Sequence, residues 1–283
     1  MSGFSFNLDK LPPENPTLSV ICNNKNHGAY IEDMILSVLS QKFDDFELII
    51  ADGGSTDNSL DIIKKYKFIT LQPGPDSSPT EGMMKALAAA RGRYVMVTTS
   101  TDGYLSRDWF KTATSFLDNN PEISLVFGAS AMMSATGSLG GISFPNAFPF
   151  DKMPQREKMA EVWMFHGISK AYMPELNYCV RMDIFRELCG SNSEFAEINS
   201  IESMLRVHFE FNRRGYLPYY LPVLANFGRS HPNQAQFSER NEHDLRVYDA
   251  AWKKYRDDVL AGRKKHTLRN GRGETLAEVS IST

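Results

Sequence analysis

Two short stretches carry residue types that could do chemistry: Asp52 within ELIIADGGSTD (47–57) and Asp102 within TTSTDGYL (98–105). In each, an apolar run ends at a polar turn holding a carboxylate beside glycine. A buried parallel strand delivers side chains in this way to the carboxyl edge of an open α/β sheet, where nucleotides bind. Asp52, followed by Gly53, Gly54 and the capping types Ser55 and Thr56, suits two tasks: accepting a hydrogen bond from a nucleobase or ribose, or capping the next helix. The glycine pair favours the ligand, because a cap alone needs no close backbone approach. Asp102 divides similarly between a turn former beside Gly103 and a hard oxygen ligand for Mg²⁺ or Mn²⁺. A departing diphosphate is one chemistry that calls for such a cation.

Those turns need a sheet to hold them in register. Residues 18–22, 47–51, 67–71 and 93–98 read as strands, separated by helices over 29–40, 57–65 and 81–91. Alternation at that spacing requires crossover connections and a parallel sheet. A helix over 107–118 with Ser106 as its cap, a strand over 123–133, and helices near 154–165, 182–189 and 198–214 follow. Residues 134–150, SATGSLGGISFPNAFPF, form a loop or hairpin of a length that more often serves binding than connection. LPYYLPVLANF (217–227) suggests one or two short strands, and 236–256 a closing helix. Pro12, Pro13 and Pro16 make residues 1–16 an extended lead-in, while 262–283 reads as a polar, mobile tail, basic at first.

The bulk numbers narrow the class. A chain of 283 residues buries a sizeable core, and a net charge of −3 argues against a general nucleic-acid binder. Cys22, Cys179 and Cys189 are odd in number and lack metal-type spacing, which points to reduced thiols in a cytoplasmic protein. No apolar run approaches the roughly 20 residues that span a bilayer, and residues 1–16 lack the blocks of a signal peptide. His27, His208, His243 and His266 show no ligand spacing, and no phosphate-binding P-loop or Gly-x-Ser-x-Gly elbow is present. Arg263, Lys264, Lys265, Arg269 and Arg272 suit a solvated tail, or peripheral contact with an anionic membrane at its inner face.

The ordered stretches LSVICNNKNHGAYIEDMILSVLSQKFDDFELIIADGGSTDNSLDIIKKY and GPDSSPTEGMMKALAAARGRYVMVTTSTDGYL resemble family 2 glycosyltransferases, whose members read approximately VSVIIPTYN…SVLNQTY…ELIIVDDGSTD and EPD…DAMNKGIALATGDYI…LNSDD. The likeness is strong over 17–118 and traceable to about 235. It implies the GT-A fold, a mostly parallel α/β sheet flanked by helices, over 17–235, with a helical C-terminal extension and basic tail over 236–283. The implied function is inverting transfer of a sugar from a nucleoside-diphosphate sugar to a glycan or lipid-linked acceptor, with Mn²⁺ or Mg²⁺, in surface polysaccharide biosynthesis. A non-catalytic sugar-nucleotide-binding or scaffold protein of the same descent is the alternative.

The resemblance also implies roles for particular residues. Asp52 matches the aspartate that contacts the base, and Asp102 the last aspartate of the metal-binding Asp-x-Asp motif, whose first position is Ser100 here. The family's Thr-Tyr pair after the first strand becomes Asn24 and Lys25, the latter suited to a phosphate. Asp76 and Lys85 match polar positions near the nucleotide. FGRSHPNQAQ (227–236) is similar to an Arg-x-His-x-x-Gln segment, which makes His231 a metal ligand and Arg229 a holder of diphosphate oxygens. An acceptor hydroxyl needs a base to take its proton. Glu202 is the nearest match, with Glu197 and Glu194 as rivals and plain helix surface charge as the simpler reading.

Overall fold

The computed structural model describes residues 7–143, 178–201, 204–232 and 239–279. β1 (Leu18–Asn24), β2 (Phe46–Asp52), β3 (Ile69–Pro73) and β4 (Tyr94–Thr99) form a parallel block in the order β3-β2-β1-β4. Every residue of β2 is buried, as continuous apolar runs require of strands covered on both faces. α1 (Ile31–Leu39), α2 (Ser59–Ile63) and α3 (Pro79–Ala89) make the crossovers. α3 starts where Ser78 accepts the Glu81 amide and Pro79 takes the first turn, a position that loses no hydrogen bond to proline. The register sets Asn24 beside Asp52, Asp52 beside Pro73 and Asn23 beside Thr99. All four strands therefore open onto one edge.

The chain then crosses the sheet. β5 (Gly103–Tyr104), directly after the Asp102 turn, pairs antiparallel with β9 (Pro218–Ser230) at the opposite end from β3. Between the two blocks lie β8 (Cys179–Arg181) and β6 (Leu125–Ser134), with β7 (Leu139–Ser143) folded back on β6. α4 (Trp109–Asn119) buries Trp109, Phe110, Ala113 and Leu117. β9 is one strand of 13 residues rather than one or two short ones. Its Pro222 falls in a bulge, where the register jumps from Tyr220 opposite Phe127 to Leu224 opposite Ala129, so no ladder amide is demanded of it.

α5 (Met182–Gly190), a 3₁₀ turn at Ala196–Ser200, α6 (Leu205–Arg213) and α7 (Glu239–Leu260) complete the helices of the described residues. The single helix expected over 198–214 is thus a 3₁₀ turn and a separate α-helix. The tail expected to be mobile is folded: β10 (His266–Arg269) and β11 (Thr275–Val279) form an antiparallel hairpin, and Tyr216 bridges Arg269. Gly215 allows this docking. Its φ is +73°, and a Cβ there would stand 1.6 Å from the Thr267 carbonyl oxygen. Arg263, Lys264 and Lys265 are ion-paired with Asp258, Glu194 and Glu278, so much of the tail's positive charge is answered within the chain. The hydrophobic core is continuous from β1 to Trp252 and Tyr255 of α7 and Leu268 of β10. No helix among the described residues is long and apolar enough to cross a membrane, and all three cysteines are free. The helix expected near 154–165 and the second part of the 134–150 loop lie outside the described residues.

His266 makes stability depend on pH. It is buried, its Nδ1 lies 2.8 Å from the Tyr255 hydroxyl, and burial lowers its pKa to about 4. The unfolded chain, with a histidine pKa of ~6.5, therefore takes up a proton first as the pH falls. Stability is complete above pH ~6.5 and declines toward pH ~4, by at most about 3 kcal/mol. Urea midpoints taken near neutrality and at about pH 5 should fall for the natural chain and fall less for His266→Gln.

Candidate functional site

The carboxyl edge is built from two linked turns. In the first, Asp52 is 1% exposed and accepts four hydrogen bonds: Oδ1 from the amides of Gly54 (3.1 Å) and Ser55 (2.8 Å), Oδ2 from Asn24 Nδ2 (2.7 Å) and Ser55 Oγ (2.7 Å). A carboxylate offers about four acceptor directions, and the chain itself fills them. Asp52, expected at the base, is held by these bonds to its own chain. It is the buried anion that shapes the turn, with Gly54 at φ +84° supplying the left-handed step. Asn24, expected at the nucleotide, is 3% exposed and spends its amide nitrogen on Asp52 and Ser55. The loop after β1 is stapled to the same turn: Asn26 N–H donates to Ser55 Oγ, Thr56 N–H to Asn26 Oδ1, and Gly28 N–H to Asp57.

Around this scaffold stand the side chains with access to a ligand. Lys25 is exposed, and a Cβ built on Gly53 would meet Lys25 Cδ and Asp76 Oδ2, each at 3.4 Å. Asp76 accepts a hydrogen bond from Lys85, whose Nζ also donates to the Pro75 carbonyl at 2.9 Å. A Cβ on Gly82 would come within 2.5 Å of Asp76 Oδ2. The glycines thus leave room for a carboxylate and two ammonium groups, Asp76, Lys25 and Lys85, at one corner of the edge.

The second turn carries Asp102. Its Oδ1 accepts the Arg229 amide at 3.0 Å, Arg229 Nε donates to the Thr101 carbonyl at 3.1 Å, and Arg229 Nη2 to Asp33 Oδ2 at 2.8 Å. Arg229 is 3% exposed. Its fork, expected on a diphosphate, is turned on its own chain and ties β9 to the Asp102 turn. Ser100, in the first motif position, is fully buried with its Oγ 2.7 Å from His27 Nδ1. His27 meets His231 edge to face, ring centroids 5.4 Å apart, and Tyr30 lies 5.1 Å from His231. Burial, then the His231 charge, lowers the pKa of His27; burial, then Arg229, lowers that of His231. Both imidazoles are neutral at pH 7, the state that offers a lone pair to a cation. His27, Tyr30 and Asp33 escaped the sequence reading because they bear no ligand spacing. Their only signal is a position just past β1, on the edge where the strands end.

A half-exposed carboxylate and a neutral imidazole, Asp102 and His231, are a donor set suited to Mn²⁺ or Mg²⁺. Among the described residues no three His, Cys, Asp or Glu side chains gather as a protein cage, so a cation here would draw on ligands from a bound diphosphate. Of the candidate bases, Glu202 lies outside the described residues. Glu194 is paired with Arg213 and Lys264, and Glu197 faces Lys254 at 3.7 Å, as surface charges commonly are.

This fold and edge have counterparts. The model for glycosyl transferase family 2 matches residues 19–181, more than half of the chain, and the chain belongs to that family. It is 26% identical over 186 residues to a PGL/p-HBAD biosynthesis glycosyltransferase of Mycobacterium bovis (strain BCG / Pasteur 1173P2), covering 62% of this chain and 71% of the relative. Its fold is that of S. aureus TarS 1-349 in complex with UDP-GlcNAc, at TM-score 0.58 and 18% identity, covering 82% of this chain; the chain spans 64% of that one. It is likewise similar to the mannosyltransferase PcManGT from Pyrobaculum calidifontis in complex with GDP-Man and Mn²⁺, at TM-score 0.58 and 15% identity, covering 89% of this chain and 68% of that one. The α/β architecture with helices on both faces of the sheet is therefore the GT-A fold.

Proposed function

We propose that the chain transfers a sugar from a nucleoside-diphosphate sugar to a glycan or lipid-linked acceptor, in the assembly of a surface polysaccharide or glycolipid. The carrying observation is Asp102 fixed by the Arg229 amide at the same sheet edge as the stapled Asp52 turn. Solved neighbours bound to UDP-GlcNAc and to GDP-Man with Mn²⁺ support a donor at this edge, and the mycobacterial relative supports glycolipid assembly.

In this reading Asp52 and Asn24 hold the turn, while Gly53 and Asp76 border the base and Lys25 and Lys85 attract the phosphates. Asp102 and His231 would hold a divalent cation, which when bound neutralises the leaving diphosphate. Arg229 keeps Asp102 aimed, and Ser100 with His27 closes the back of that turn. Glu202 takes the acceptor's proton, and direct displacement inverts the anomeric centre.

A thermal-shift screen of UDP, GDP, dTDP and CMP sugars with and without Mn²⁺ tests the donor. A ligand near a hundred times its Kd stabilises the native state by about 2.7 kcal/mol, which raises the melting temperature by roughly 5 °C or more. One base class should produce the shift, and more strongly with Mn²⁺. No shift with any of the four would remove the donor site from this edge.

A further inference from the structure

At the other end of β4 the molecule has a cavity of about 610 Å³, where the turn before the strand (91–93), the β8–α5 junction and the β10–β11 turn meet. Five arginines line it: Arg91, Arg93, Arg181, Arg186 and Arg272, against the carboxylates of Asp183 and Glu187. Several of these charges are already answered. Arg91 pairs with Glu47, Arg93 with Asp118, and Glu187 with Arg214. Among the described residues Arg181, Arg186 and Arg272 make no ion pair with a carboxylate; Arg181 acts at longer range on Asp118, and Asp183 lines the same cavity.

These cations are placed as a site would place them. Arg181 Nε and Nη2 donate to the carbonyls of Ile123, Leu117 and Asn120, which fixes the guanidinium without neutralising it. Gly271 of the hairpin turn packs on it so closely that a Cβ would stand 2.4 Å from Arg181 Nε. Arg186 Nη2 is anchored on the Ala90 carbonyl at 2.7 Å, and Arg272 on the same turn is exposed. α5 begins at this cavity with no side-chain cap; its Met182 amide is bound by the Arg93 carbonyl and Asp183 lies in its first turn, so its dipole adds little to the field of the arginines. Tyr94, beside Arg181 in the β4–β8 register, begins β4, and Thr99 at the donor edge ends it, about 17 Å away. The two sites are separate.

We propose that this arginine-lined cavity binds a phosphate-bearing anion, read by the guanidinium groups of Arg186 and Arg272, with Arg181 adding its fixed positive charge and its one uncommitted nitrogen, Nη1. A cavity of this size admits a phosphorylated headgroup or a pyrophosphate, and the planar guanidinium donors of Arg186 and Arg272 suit phosphate oxygens better than ammonium groups do. The proposal does not depend on which donor the catalytic edge takes.

The test uses the full chain with EDTA and titrates inorganic pyrophosphate by calorimetry, beside flotation on phosphatidylcholine vesicles with and without phosphatidylglycerol. The natural chain should bind pyrophosphate, and the double variant Arg186→Gln/Arg272→Gln at least about tenfold more weakly. Both residues are exposed, so its melting temperature should match that of the natural chain; if it does not, Arg272→Gln alone is read. Flotation dependent on phosphatidylglycerol and lost in the variant assigns a lipid headgroup, and pyrophosphate binding without flotation assigns a soluble phosphate. Pyrophosphate binding unchanged in the arginine variants, or removed by Lys25→Ala at the donor edge, overturns the proposal. So does the absence of both binding and flotation.

Discussion

Asp102→Asn is expected to lower sugar transfer by roughly 10²- to 10³-fold while leaving the fold intact. The substitution is close to isosteric, and the asparagine carbonyl can still accept the Arg229 amide that Asp102 Oδ1 accepts at 3.0 Å. What it removes is one negative charge where a cation and a departing diphosphate would meet, and losing a preorganised electrostatic contact of that kind costs about two to three orders of magnitude in rate. Nucleotide release measured at saturating Mn²⁺, with and without acceptor, reads the effect. An unchanged rate would show that Asp102 only shapes its turn. Arg229→Lys is the informative companion: it retains the backbone amide but loses the forked bonds to Thr101 and Asp33, so a fall in rate there reports positioning and not charge.

Glu210→Ala should produce the largest loss of stability. Glu210 is fully buried on α6, with Oε1 accepting Ser193 Oγ at 2.5 Å and Arg213 Nε at 3.0 Å, and Oε2 accepting Arg213 Nη2 at 2.7 Å and Arg214 Nε at 2.8 Å. Burial by itself would raise its pKa, but the bonds from Arg213 and Ser193 outweigh that and hold it below the usual carboxylate value. Its contribution is therefore complete above the unfolded pKa of ~4.3 and is lost as the pH falls through the lower folded value. Removing one partner of a buried pair strands the others, here two guanidinium groups, at a cost of about 3–5 kcal/mol. A melting temperature lower by roughly 6–15 °C is the expected reading. A drop of only a degree or two would mean that Glu187 and Glu194, which also contact Arg214 and Arg213, suffice to hold them.

The carboxyl edge of the sheet was legible in the sequence as far as backbone was concerned. Runs such as Leu48, Ile49 and Ile50 admit only a buried strand, and the polar residues ending each run had to gather where parallel strands finish. The division of labour at that edge was not legible. Asp52 beside two glycines gives no sign in the sequence that its carboxylate accepts four donors of its own chain. The contact between His27 and Ser100 joins residues 73 apart and leaves no local trace. The hairpin at 266–279 was hidden for a different reason: its strands are short and mostly polar, and docking, through Leu268 and the close approach at Gly215, is what orders them. β9 was divided by Pro222, which a strand accepts only when a bulge releases its amide.

The crossing of the chain from β4 to β5 has a consequence for recombination. The elements up to Thr99 form an uninterrupted segment, which invites exchange between relatives as a block. Yet the next residues pair with Asn226 and Phe227, and Asp102 is anchored by Arg229. A hybrid joined anywhere between them would bring Asp102 from one parent and its anchoring strand from the other. Block exchange is therefore expected to succeed only when β9 travels with the exchanged segment, so that sequence change at residues 100–104 and at 226–231 is inherited as one unit.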